Sequence, residues 1–272
     1  HLGLIAAHEL SDAMQRLDAA ADALAQTPLG QRLWTAAEDA PSWQDWCVDF
    51  APPDISTDSP IDQPNAQPWL AGRRIAIARD AAFSFIYPAN LDCLRSMGAE
   101  LCFFSPLEGD ALPPCDALWL PGGYPELHAQ ALHANQVLRA GIGEHVAQGK
   151  PVWAECGGML ALCEGVTGLD GNIQAMWGLL PGQVIMQNRL GGLGMQQLVL
   201  DTGLLRGHTF HYTRLETTMQ VHTRSSRPGA AVQPDRGEAL YVHGSVRASY
   251  FHAWFPSNPA AVAGLFGATI QA

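Results

Sequence analysis

The stretch Pro151–Leu162, PVWAECGGMLAL, reads as a short buried strand, a tight turn and the first turns of a helix, with Cys156 at the joint. Pro151 to Ala154 is apolar and extended in character. Gly157 and Gly158 let the chain turn sharply without a Cβ clash. Met159, Leu160 and Leu162 continue as the buried side of a helix, and Cys163 follows on the next turn. A cysteine in that joint faces the free N–H groups of a helix start, whose dipole favours the thiolate, the nucleophilic form. The Gly157 N–H is aimed near the sulfur and supplies half of an oxyanion hole. Free cysteines are usually small buried hydrophobes, and the other five in the chain are read that way. Cys156 differs because glycines follow it at a strand-to-helix turn, where packing alone needs no sulfur.

Working outward, 272 residues suffice for one large domain or two small ones. A hydrophobic content of 47% with 15% charged residues fits a well-packed chain and not a disordered one. No apolar run is long enough to span a bilayer, and no signal peptide opens the sequence. The cysteines show neither close metal-ligand spacing nor a dense disulfide framework, so reduced thiols in a cytoplasm, and no metal site, are expected. The net charge of −11 argues against nucleic acid or an anionic membrane as partner. Lys150 is the only lysine, and it stands in Gly149-Lys150-Pro151 without a phosphate-binding loop around it. Gly191, Gly192 and Gly194 have the wrong spacing for a dinucleotide-binding turn.

On both sides of the elbow the pattern is α/β. Arg74 to Ala78, Glu100 to Phe104 and Ala117 to Leu120 read as buried strands. Tyr87 to Met97 and Gln136 to Gln148 read as helices, the first with Pro88 in its opening turn. Strand and helix at this spacing predict a mainly parallel central sheet flanked by helices on both faces. Active sites in such sheets lie beyond the carboxyl ends of the strands, where Gly122-Gly123 and Cys156 both fall. From Gly178 an additional antiparallel β portion is expected: Gly182 to Met186, Gln196 to Leu200, Gly207 to Tyr212 and Ala239 to His243. Tyr250 to Phe255 then reads as strand-like, and Ala260 to Phe266 as a closing helix. Ahead of the α/β unit, His8 to Gln26, with Ser11 as N-cap, and Leu29 to Ala37 read as helices. The segment from Pro41 to Pro68 holds six prolines and reads as a linker, parts of it docked through Trp43, Trp46 and Trp69.

A thiol nucleophile needs a base, and ten histidines are available. His252 is favoured because it ends an apolar, strand-like stretch just before a turn; His243 and then His211 are its rivals. His208 and His211 are three residues apart in RGHTFHYTR, which on a strand sets them on opposite faces and argues against a metal pair.

LPGGYPELHA (Leu120 to Ala129), AECGGML (Ala154 to Leu160), RGHTFHY (Arg206 to Tyr212) and ASYFHAWFPSNP (Ala248 to Pro259) together resemble the class I glutamine amidotransferase domain of cobyrinate (hydrogenobyrinate) a,c-diamide synthases, ligases of cobalamin biosynthesis. The resemblance runs from about Arg73 to Phe266. HLGL at the start resembles the end of the family's ATP-dependent half, so the chain is expected to be the carboxyl-terminal part of a longer enzyme. The implied organisation is a helical tail of the synthetase half over 1–40, a Pro-rich linker over 41–72 and the amidotransferase domain over 73–272. The implied chemistry makes Cys156 the nucleophile and His252 the general base and acid, with Gly122, Gly123 and Gly157 forming the oxyanion hole. Glu155 stands as an electrostatic modulator or a structural residue behind the elbow. Tyr124, Glu126, His128, His208 and His211 line the glutamine mouth or the interface with the other half. No cofactor is expected in this chain; ATP and Mg2+ belong to the other half, with glutamine and a corrinoid as substrates. A homodimer is one assembly the reading allows.

The sequence departs from related amidotransferases at two points. Many carry His-x-Glu, but two residues after His252 stands Trp254; many carry glutamine four residues after the cysteine, where this chain has Leu160. Two other readings stay open: the same domain serving cobyric acid synthase or a nickel-sirohydrochlorin a,c-diamide synthase, or a catalytically idle scaffold domain.

Overall fold

β1 (Arg74–Ala78), β3 (Ala117–Leu120) and β4 (Val152–Glu155) are four- and five-residue apolar strands buried almost throughout, the signature of a parallel sheet covered on both faces. In the computed structural model, which describes residues 12–32 and 67–270, they form the centre of a seven-stranded sheet. The chain divides into two units, His1–Ser59 and Pro60–Ala272. In the first, Ala13–Ala25 is helical with Asp12 at its N-cap, and residues 28–32 are helical again. Ser11, residues 33–40, Trp43, Trp46 and the Pro-rich stretch as far as residue 66 lie outside the described residues.

In the second unit, β2 (Glu100–Phe104), β11 (Val221–Arg224), β12 (Ala239–His243) and β13 (Val246–Ser249) complete the main sheet in the order β11-β12-β13-β4-β3-β1-β2. From β13 to β2 every pairing is parallel, and β11 and β12 add an antiparallel edge. Period-2 alternation splits the strands between two cores. Ala76, Ala78, Leu118, Leu120 and Ala154 meet Leu132, Leu138, Ile142 and Met159 from the helices Ala129–Ala134, Gln136–Ala147 and Gly157–Leu162. Ile75, Ile77, Trp119 and Trp153 meet Leu94 of the helix Pro88–Ser96 and Val262 of the helix Pro259–Leu265. Trp69 packs half-buried against this second core.

Of the expected antiparallel strands, Gly182 to Met186, Gln196 to Leu200 and Gly207 to Tyr212 fall in two smaller sheets, one of which also holds a parallel pair, whereas Ala239 to His243 joins the edge of the main sheet as β12. One has the order β10-β7-β5-β6, from β5 (Gly165–Thr167), β6 (Ile173–Ala175), β7 (Gln183–Met186) and β10 (Thr213–Glu216). The other is β14-β9-β8, from β8 (Gly192–Leu200), β9 (Gly203–His211) and β14 (Phe251–Ala253).

Several boundaries differ from the sequence reading. β8 starts four residues earlier than expected and β9 four residues earlier, because their glycines lie within the ladder. Only Phe251–Ala253 of the apolar run YFHAWF is strand; Phe255–Ser257 turns into a 3-10 helix. β13 was not expected at all. Its signal was the two-residue loop Gly244-Ser245 that joins it to β12, with Gly244 at φ 59° and His243 paired to Val246, a hairpin turn of the glycine-first kind.

Candidate active site

The elbow forms where β4 ends. Cys156 has φ 42° and ψ −103°, and it is the only non-glycine residue with positive φ among the described residues. Such backbone costs an L-residue about 1–3 kcal/mol and persists only where neighbours enforce it. They do so here. The Cys156 N–H donates to the Ser249 carbonyl of β13 at 2.7 Å, and the Cys156 carbonyl accepts from Leu160 N–H at 2.9 Å in the helix that follows. Gly157 and Gly158 are there because nothing larger fits. A Cβ on Gly158 would fall 2.0 Å from the Leu120 carbonyl oxygen, and one on Gly157 would fall 2.8 Å from the Gly123 nitrogen. The elbow is therefore pressed against the glycine turn after β3.

That turn also receives His252. A Cβ on Gly122 would lie 2.4 Å from His252 Cε1 and 3.0 Å from its Nδ1. Gly122 is held in place by its carbonyl, which accepts from the Phe85 N–H at 3.0 Å. Chain connectivity explains why His252 reaches this place. β13 lies beside β4 with Ser249 opposite Glu155, and β14 begins two residues later. The Ala253 N–H donates to Glu155 Oε1 at 3.2 Å, so the residue before Cys156 is tied to the residue after His252. His243, by contrast, pairs with Val246, which faces Val152 at the start of β4, so it sits at the opposite end of the sheet.

Burial sets the charge states. The Cys156 thiol is pushed far up, first by burial and then by the negative charges of Glu126, Glu238 and Glu155. The Gly157 N–H, directed at the sulfur, works the other way and is outweighed. Against the expectation that the helix start favours the thiolate, burial of the sulfur outweighs a helix of six residues. The resting thiol points to the Phe210 carbonyl at 4.0 Å. His252 is pushed down to about 3, by burial first and then by His208 and His211, so its imidazole is neutral. Glu155 is pushed up to about 8 by burial, although the Trp153 indole N–H at 2.6 Å, the Ala253 N–H and, at longer range, Trp119 favour its charged form. Glu126, in the 3-10 turn Pro125–His128, is raised to about 7 by burial, against the opposing charge of His128.

The remaining residues singled out in the sequence divide into two groups. Tyr124 lies edge-on to Phe85 at 5.1 Å, and Phe85 packs 6.1 Å from the His252 ring. His208 stacks on His252 at 4.9 Å, with the Tyr87 hydroxyl 3.4 Å from its Nε2. A cavity of about 440 Å3 opens beside this stack, lined by Phe85, Tyr87, Met195, His208, Phe210 and His252. His211 faces the other way. Its Nδ1 lies 2.8 Å from the Thr213 carbonyl and its Nε2 3.1 Å from Glu238 Oε1, and its ring stacks 3.8 Å from Tyr250. As the three-residue spacing on a strand implies, alternation along β9 separates His208 from His211, and only His208 borders this cavity. Phe85, Ser249 and Glu238, which brace the site, carried no sequence signal, since each acts through position in the fold.

An α/β fold of parallel strands with a left-handed cysteine turn at the strand carboxyl ends has the shape of a nucleophile elbow. The chain belongs to the CobB/CobQ-like glutamine amidotransferase domain family, which it matches over residues 74–260. It is 47% identical to the hydrogenobyrinate a,c-diamide synthase of Stutzerimonas stutzeri and 44% to that of Pseudomonas aeruginosa, in each case over 97% of this chain and 56% of the other. It is 40% identical to the cobyrinate a,c-diamide synthase of Herminiimonas arsenicoxydans, over 100% of this chain and 58% of the other. The chain thus spans little more than half the length of these relatives. No helix among the described residues is long and apolar enough to cross a membrane.

Proposed function

We propose that this chain is the glutaminase unit of a corrinoid a,c-diamide synthase. Cys156 Sγ attacks the side-chain amide carbon of glutamine as its proton passes to His252. The C–N bond breaks, His252 returns the proton to the departing nitrogen, and ammonia leaves a γ-glutamyl thioester. His252 then takes a proton from water, which hydrolyses the thioester to glutamate and restores the thiol. The N–H groups of Gly157 and the Gly122-Gly123 turn hold the oxyanion. Tyr124, Glu126 and His128 border the path by which glutamine enters.

The observation that carries this reading is the left-handed backbone of Cys156. A cysteine that only fills space has no use for strained backbone, and a nucleophile presented to an incoming carbonyl does.

In the resting chain, proton transfer from the raised thiol to the lowered imidazole runs uphill. Activation by the rest of the protein fits that state: movement of the elbow that exposes the sulfur would bring the two values together. In the full-length enzyme, ATP and Mg2+ held by the other half would activate the a- and c-acetate carboxylates that receive the ammonia. The two relatives of higher identity are named for hydrogenobyrinate, which supports that corrinoid as acceptor.

Ammonia release from glutamine by the full-length protein tests the reading. Cys156→Ala is expected to reduce it by at least about 10³-fold. Release that survives the substitution ends the assignment.

A further inference from the structure

A general-base histidine must be held, because a ring free to rotate is seldom oriented to take a proton. Two residues after His252 stands Trp254, 42% exposed and edge-on to Tyr87 at 5.8 Å, so the usual carboxylate position cannot hold it. β9 offers another support. The antiparallel register sets His208 directly opposite His252, which puts both side chains on one face. Their rings lie nearly parallel, 21° apart with centroids at 4.9 Å. His208 is braced in turn by Tyr87, whose ring meets it edge-on at 6.1 Å and whose hydroxyl approaches Nε2. Phe85 and the bare Gly122 backbone close the other sides of the slot.

We propose that His208 is the positioning residue for His252, and that the stack Tyr87–His208–His252 replaces the carboxylate of a triad. The chemistry differs from that of a carboxylate in one respect. A carboxylate stabilises the imidazolium, whereas a stacked second imidazole makes double protonation unfavourable. Orientation is kept while the charged form of His252 is disfavoured. The titratable groups around His252 are His208, across from it on β9, and His211, on the opposite face of that strand, with Tyr87 behind His208 and Glu155 bonded to the neighbouring Ala253 N–H. Of these, His208 alone is stacked on it.

The inference rests on the glutaminase reading and is tested with two variants of the full-length protein. His208→Phe keeps a flat ring and removes the titrating nitrogens; His208→Ala removes both. In His208→Ala, kcat for glutamine hydrolysis is expected to fall about tenfold with KM changed less than about threefold, the size of a lost aromatic stack. His208→Phe, which keeps the stacked ring, is expected to lose at least about threefold less than His208→Ala. In both, the acid limb of the kcat/KM profile moves to higher pH, because a neighbouring positive charge is gone. Equal losses in the two variants, an unchanged kcat in His208→Ala, or an acid limb that stays put in both overturns the proposal. Should His208→Ala fail to fold, His208→Leu takes its place. The His252 ring signal in NMR reads the same event without turnover, by titrating at higher pH in both variants. If the wild type hydrolyses no glutamine while that shift is seen, the glutaminase reading has failed and the stack stands.

Discussion

The central sheet carries a cysteine and a histidine at each of its two ends, and only one end has the makings of a site. At the amino end, Cys115 Sγ lies 3.6 Å from His145 Nδ1, two residues before β3. Both residues are buried, and burial raises the thiol to about 11 and lowers the imidazole. At the carboxyl end the thiol of Cys156 is likewise raised and the imidazole of His252 likewise lowered. Burial therefore does not distinguish them. What differs is the backbone and the use made of the ring. Cys115 sits in ordinary conformation after two prolines, and His145 spends its second nitrogen on the Pro151 carbonyl at 3.2 Å. Every polar group there is already answered by the fold. Cys156 stands on left-handed backbone, pressed by glycines against the turn on which the His252 ring also rests. A Cys–His pair becomes a candidate for chemistry when the fold strains to present it.

The comparison breaks most sharply by deleting each sulfur. Cys156→Ala is expected to lose at least about 10³-fold in glutamine hydrolysis, whereas Cys115→Ala stays within about twofold. A smaller effect is expected at the wall between the two halves of the site. Gly122→Ala places a methyl where His252 Cε1 and Nδ1 now lie, so the ring must shift. Activity should fall about 10²-fold, as misplacement of a reacting group costs, while circular dichroism remains that of the wild type.

A third measurement concerns stability. Glu155 is raised to about 8 in the folded chain, against about 4.5 for its ordinary value. The folded state therefore holds a proton that the unfolded state has lost between those values. The stability so gained is complete below about pH 4.5 and disappears as pH rises through 8. Glu155→Gln keeps an acceptor for the Ala253 and Trp153 N–H groups and cannot titrate. Denaturant melts from pH 5 to 9 should show a flatter decline in the variant, by up to about 1.4 kcal/mol per pH unit. An equal slope in both proteins would show that Glu155 is ionised when folded. The smallest effect is the stability cost of Cys115→Ala, about 1 kcal/mol for a small side chain in a packed site.

Much of the sheet was legible because its central strands are short apolar runs with no competing reading. The bounds of β1, β2, β3 and β12 agree with the sequence pattern. β13 was not legible as a core strand, since Val246–Ser249 is only VRAS, with an arginine inside it. It is buried because β12 and β4 flank it, which no local pattern reveals. β8 was truncated in the reading because Gly192 and Gly194 look like a turn. In the fold they are ladder residues, and a Cβ on Gly192 would strike Glu238 Oε1 at 2.5 Å.

Sequence by itself singled out Cys156, because an apolar strand, two glycines and an apolar helix fall within twelve residues and leave the chain little choice of local path. It singled out the Gly122-Gly123 turn for the same reason. The fold alone decided which of ten histidines comes near, which one stacks on it, and that burial raises the Cys156 thiol. Those outcomes depend on β13 lying beside β4, on the register of β14 against β9 and on burial of the sulfur and the ring. Each is a relation between distant segments, and neither segment carries it in its own residues.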